Sequence, residues 1–172
     1  MPIKQFSGQW AADEDRLLFR FNTADGREFR FWLTRHITRG LIEGSQRVVT
    51  AVLKKKFAPE TAEAIHEFQQ QSVMQTTKFN EPYESGDNLV LGEHPILVTG
   101  LTMQPEKELM SVDLRLATKQ NVNFRIPLPV FQKMILLLDK LQAQANWGVG
   151  LQPPAGAETA VPGEPLASPK VH

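Results

Sequence analysis

The chain has 172 residues, 41% hydrophobic and 22% charged, a balance that suits one globular core and excludes a disordered polyelectrolyte. Nineteen Lys and Arg match nineteen Asp and Glu, so no net field draws in nucleic acid or an anionic membrane, and the absence of cysteine excludes disulfides, thiolate nucleophiles and Cys-ligated zinc. No stretch approaches the ~18 consecutive apolar residues of a membrane span and the first residues lack a signal-peptide core, so a cytoplasmic location with no membrane contact is expected.

In chain order, residues 1–15 read as a lead-in with Trp10 as an anchor. Two alternating runs, 16–23 and 27–34, flank Asp25-Gly26, a strong short-range signal for a β-hairpin. The period of two puts Phe19, Phe21, Phe29, Phe31 and Leu33 on one face, with Arg20, Arg30 and Trp32 on the other. A helix follows over 36–56, with Ile37, Leu41, Val48, Val49, Val52 and Leu53 on its apolar arc. Gly40 and Gly44 lie between that arc and the charged side. Each costs a helix about 1 kcal/mol relative to alanine, so their presence asks for a close approach by another element.

Pro59 opens a second helix to about residue 73, with Ala62, Ile65, Phe68 and Val73 expected inward. From Gln75 to His94 the periodicity fails, with Pro82 and Gly86 as breakers, and the segment reads as a long loop. Strands resume at 95–103, 109–117 and 121–127, half-buried by their alternation, and Pro129 opens a last helix reaching about Asn146. The expected fold is a single α+β domain over 1–147, an antiparallel sheet of about five strands in the order ββααβββα with helices mainly on one face. Residues 148–172, rich in Pro, Gly and Ala, are expected to be a disordered tail.

Charge is segregated although its sum is zero: residues 34–58 carry a net +5 and residues 59–95 a net −6. The two helices can neutralise each other across their hairpin, or the first can dock on phosphates or an acidic partner. Leu136, Ala143 and Trp147 fall away from the main apolar face of the last helix and form a second seam, which either the chain's own N-terminus or a partner can cover. Catalytic signatures are missing. The four histidines share no metal-ligand spacing, and no nucleophile elbow, phosphate loop or zincin motif occurs, so no cofactor, no metal and no enzymatic activity are expected.

Two functional expectations remain. The first is a non-enzymatic protein-interaction or adaptor protein, self-associating or binding a partner protein through Leu136, Ala143 and Trp147 and through the loop residues Phe79, Pro82 and Tyr83. The alternative is a nucleic-acid-binding module using Arg20, Arg30 and Trp32 on the outer sheet face with Arg39, Arg47 and Lys54 on the basic helix.

Overall fold

The computed structural model describes residues 3–76 and 81–151. Its strands are β1 (Ile3–Ala11), β2 (Arg16–Thr23), β3 (Arg27–Leu33), β4 (Asn88–Leu89), β5 (Ile96–Glu106), β6 (Leu109–Leu116) and β7 (Asn121–Pro127), and its helices α1 (Arg35–Lys56), α2 (Pro59–Thr76) and α3 (Leu128–Gln144). The class is α+β, but the sheet has seven strands and is mixed. Its order is β1-β2-β3-β5-β6-β7, with the short β4 also on β3.

Two features account for the difference from a five-stranded antiparallel sheet. The first is β1, read in the sequence as part of a lead-in anchored by Trp10; it pairs antiparallel with β2 from Ile3 to Ala11. The second is the parallel pairing of β3 with both β4 and β5. Arg27 lies opposite Asn88 but Phe31 opposite Ile96, so β4 and β5 are one interrupted strand along β3, broken by the excursion of residues 90–95. No local turn signal can announce such a partner, because a parallel neighbour arrives only after a long crossover.

The hairpin forms where the Asp-Gly signal places it. Gly26 adopts φ 79°, the left-handed conformation a short hairpin loop requires, and its N–H donates to the Thr23 carbonyl at 3.0 Å. Asp25 accepts from Arg27 Nε at 2.9 Å and from the Thr23 hydroxyl. The Arg27 bond foremost, then that of Thr23, holds the Asp25 carboxyl at about 2, well below its ordinary 3.8. A carboxylate lowered in the folded state stabilises above its unfolded pKa and loses that contribution as pH falls through the folded one. The Gly26 and Arg27 amide shifts should therefore titrate with a midpoint near 2; a midpoint near 3.8 would show the Arg27 contact absent in solution.

The sheet curls on itself. Phe21 of β2 and Phe124 of β7 have ring centroids 5.0 Å apart although β3, β5 and β6 lie between their strands. In a flat sheet that separation would be about 19 Å, at ~4.8 Å per strand. The concave face is the core: Leu17, Phe19, Phe21, Phe31 and Leu33 face Met110, Val112, Leu114, Phe124 and Ile126, each at most 3% exposed. Helix α3 fills the gap between the first and last strands, packing on β1, β6 and β7. Gly8 of β1 faces Leu141 and Leu137 of α3 so closely that a Cβ there would strike Leu141.

Helix α1 starts at Thr34, whose hydroxyl accepts the Ile37 N–H at 3.3 Å, and ends on Lys54, Lys55 and Lys56, cations suited to the negative end of the helix dipole. It lies across the concave face on β5. Gly40 sits over Leu101 and Gly44 over Met103, which answers the demand that two helical glycines make for a close approach. Helix α2 packs on α1 and α3 as an outer layer, through Val49, Leu53 and Ala62. Its expected inward face is only partly realised: Ala62 is buried and Ile65 and Val73 are half-buried, but Phe68 is 72% exposed. Residues 148–151, placed in the tail by composition, run back along α3. Val149 is buried, its N–H donating to Gln142 Oε1 at 3.1 Å, and the Leu151 N–H donates to Asp139 Oδ1 at 2.9 Å.

Candidate interaction surface

Four surfaces contain the residues singled out from the sequence. The convex face of the sheet carries Arg20, Arg30 and Trp32, in register with Leu18, Asn22 and Glu28. Residues 81–94 lie over part of this face. Glu28, with its side chain fully buried, accepts the Gly86 N–H and Arg30 Nε, both at 2.6 Å. Arg30 also donates to the Glu93 carbonyl at 3.1 Å. Asn22, 3% exposed, donates to the Glu84 carbonyl at 2.6 Å and accepts the Gln5 N–H at 2.8 Å.

Gly86 has to be glycine, because a Cβ would stand 2.6 Å from the Gly26 carbonyl oxygen. Tyr83 turns in toward the sheet, with the Arg20 guanidinium 4.3 Å from its ring centroid. Burial pushes the Tyr83 phenol above its ordinary value; the nearby Glu28 carboxylate adds to that and the Arg20 charge opposes it. The two arginines proposed to meet phosphates thus face the chain's own loop, whose sequence carries Glu81, Glu84, Asp87 and Glu93. Trp32 is half-buried between its register partners Leu18 and Leu97. An apolar row across three strands gives it a packing reason to sit on the convex face.

The seam on the last helix is divided. Leu136 is 6% exposed, covered from the side where α1 and α2 meet α3, and Trp147 is 2% exposed. Trp147 Nε1 donates to Asp15 Oδ1 at 2.6 Å, so the indole closes on the turn between β1 and β2. Leu136, expected on the polar side of the helix, lies outside the main core but is buried on the wall of a cavity shared with α1 and α2. Ala143 is exposed. In the loop, Pro82 is exposed and Tyr83 half-buried, while Phe79 lies outside the described residues.

The remaining surface is the outer side of α1. Arg35, Arg39, Arg47 and Lys54, all exposed, fall within about a third of the helix circumference at ~100° per residue. The helices do not neutralise each other: Lys54–Glu63 at 3.9 Å is the cross-hairpin ion pair, while Arg35, Arg39, Arg47, Lys55 and Lys56 have none among the described residues. Opposite charge on α1 and α2 in the sequence suggested more pairs than form, because α2 meets α1 through the apolar Val49, Leu53 and Ala62.

Among the described residues no group of three or more His, Asp or Glu side chains gathers as for a metal ion, and no helix is long and apolar enough to cross a membrane. No family model, curated protein or solved structure matches the chain.

Proposed function

We propose that this protein is a non-enzymatic interaction module whose α1 ridge docks an acidic surface of a partner protein. The observation that carries this reading is the row of exposed cations on one helix, of which Arg35, Arg39 and Arg47 have no carboxylate partner among the described residues and Lys54 has a 3.9 Å contact with Glu63. The row runs about 30 Å at ~1.5 Å per residue, long enough for a protein interface of ordinary size. Exposed charges of one sign raise association rates more than affinity, so an apolar anchor is also needed. Phe57 and Phe68, 43% and 72% exposed, are the aromatics available in the same helical layer.

A protein partner is favoured over nucleic acid by the composition of the ridge. Glu43 stands between Arg39 and Arg47, four residues from each, and Glu60, Glu63 and Glu67 line the neighbouring helix. A polyphosphate would meet these carboxylates, whereas a protein surface can match a mixed row. A cysteine-free chain suits the reducing cytoplasm, where this reading places it. Self-association uses the same logic, with the acidic α2 of a second copy on the ridge.

The test is binding of poly-L-glutamate, standing in for an acidic surface, and of a short DNA duplex at about 50 and 500 mM salt. Wild type should bind polyglutamate at low salt only. The folded double variant Arg39→Glu with Arg47→Glu should bind at least about tenfold more weakly, some 1.4 kcal/mol. Preference for the duplex would replace this reading with the nucleic-acid one, and binding to neither would remove both. Light scattering at the same two salts reports the self-association arm: a dimer at low salt that dissociates at high salt is expected if a second copy is the partner.

A further inference from the structure

A cavity of about 30 Å³ lies where α1, α2 and α3 converge, and its space, including the open mouth, is about 360 Å³. Its walls are Val49, Val73, Phe131, Leu136 and Leu151. The polar groups on it are amides and an imidazole: Gln46, His66, Gln70 and Gln132. Ser45 also lines it, but its hydroxyl already donates to the Ile42 carbonyl at 2.7 Å. Among the described residues no Lys, Arg, Asp or Glu contributes to the lining. Burial pushes the His66 imidazole below its ordinary value, against the opposing effect of Glu67, so near pH 7 the wall is uncharged.

One atom on this wall lacks what it needs. Gln132 Nε2 is shielded from solvent and has no acceptor among the described residues. A buried donor left unpaired is costly, and native structures rarely keep one without a partner, water or ligand to receive it. The space holds about two waters, or an equivalent head group of a few heavy atoms, with Val73 and Leu151 among the apolar walls that the rest of a ligand would meet.

We propose that this cavity binds a small neutral molecule with an apolar body and one hydrogen-bond acceptor, its carbonyl or ether oxygen taking the Gln132 Nε2–H and its carbon chain lying against Leu136, Val73 and Leu151. Charge sorts the ligand class. A carboxylate would enter an apolar site with no cation to compensate it, and a pure hydrocarbon would leave the Gln132 donor unpaired. The site borders the α1 ridge through Gln46 but uses none of Arg35, Arg39, Arg47 or Lys54, so its failure would leave the docking proposal untouched.

Three probes of similar size separate the cases: 2-pentanone, pentanoate and benzene. Each is titrated while the Gln132 side-chain amide resonances and the melting temperature are followed. 2-Pentanone should shift the Gln132 amide saturably and raise the melting temperature; pentanoate should do neither, and benzene should bind more weakly. Gln132→Met, which keeps length and removes the donor, should weaken 2-pentanone about five- to tenfold without lowering basal stability, since an unpaired donor is what it removes. Val73→Phe should fill the space and abolish the shift, and it serves as the second variant should Gln132→Met unfold. No saturable shift by 2-pentanone, or a shift that both variants leave unchanged, would overturn the proposal. So would a crystal structure soaked in 2-pentanone that shows an ordered water on Gln132 Nε2 instead, a hydration site only.

Discussion

Replacing Glu28 with alanine should destabilise the protein by about 3–5 kcal/mol, the cost of breaking a buried charge pair by removing one partner. The side chain is fully buried, and both donors it serves, Arg30 Nε and the Gly86 N–H, stand at 2.6 Å. Alanine leaves a guanidinium and a backbone amide facing a hole. For a chain of this size that is a fall in melting temperature of roughly 6–20 °C, at ~2–4 °C per kcal/mol. Glu28→Gln keeps the shape and one acceptor and should cost about half as much. Paired removal, Glu28→Leu with Arg30→Leu, should recover much of the loss, because two apolar side chains need no compensation where a lone charge does. Thermal unfolding of the four proteins decides it. A loss under about 1 kcal/mol for Glu28→Ala would mean that residues 81–94 do not rest on the sheet in solution. Hydrogen exchange gives the same answer locally, with the Gly86 and Asn88 amides losing protection before the core strands do.

Phe21→Ala is the second large effect, at about 3–5 kcal/mol and toward the upper end of that range. Phe21 is fully buried and its ring centroid lies 5.0 Å from Phe29, 5.0 Å from Phe124, 5.9 Å from Phe31 and 6.3 Å from Phe19. It therefore joins the second strand of a curled sheet to its last, where a cavity cannot collapse without moving β7 toward β2. Phe29, 5% exposed, stacks on Phe21 and Phe31 alone, so Phe29→Ala should cost less. Chemical denaturation of the two alanine variants and of Phe21→Leu ranks them. Equal losses for Phe21→Ala and Phe29→Ala would show that the contact with Phe124 contributes little. Against a total stability of about 5–15 kcal/mol, the Phe21→Ala protein should still be measurably folded at room temperature.

What could be read from the sequence follows how local each cause is. The hairpin is encoded in five consecutive residues around Asp25-Gly26, and α1 in its apolar arc and its Thr34 cap. The same holds for the alternation of Val112, Leu114 and Leu116 with Asp113 and Arg115. The parallel seam of β3 with β5 has no such signature, since nothing near Ile96 names Phe31 as its neighbour. Glu28 looks like one more polar residue on an outward strand face. Its burial depends on Gly86, 58 residues away in a stretch whose composition resembles a solvated loop. Gly86 was noticed as a chain breaker, and its role as the point where two backbones touch is a tertiary fact.

Leu136 shows the limit of helical-wheel reasoning. The wheel places a side chain on a bearing but says nothing of which element occupies that bearing, and here Val49 of α1 and Val73 of α2 share a cavity wall with Leu136. Phe68 errs in the opposite direction: its spacing from Ala62 and Ile65 fits a packed face, and the helix rotates it outward to 72% exposure. The basic ridge was visible as charge from the outset. Only the three-dimensional arrangement reveals that its arginines lack ion-pair partners among the described residues, while Lys54 reaches Glu63.

The bond from Trp147 to Asp15 spans 132 residues, and it has a consequence for how the protein is made. On a ribosome adding ~5–20 residues per second, roughly 7 to 26 seconds separate the synthesis of one partner from that of the other. For much of that interval Phe19, Phe21, Phe29 and Phe31 have been synthesised while Phe124 and α3, which cover them, have not. The nascent chain thus presents a phenylalanine-rich hairpin to its surroundings for most of its synthesis, so the growing polypeptide, and not the finished one, is the form that calls for a chaperone.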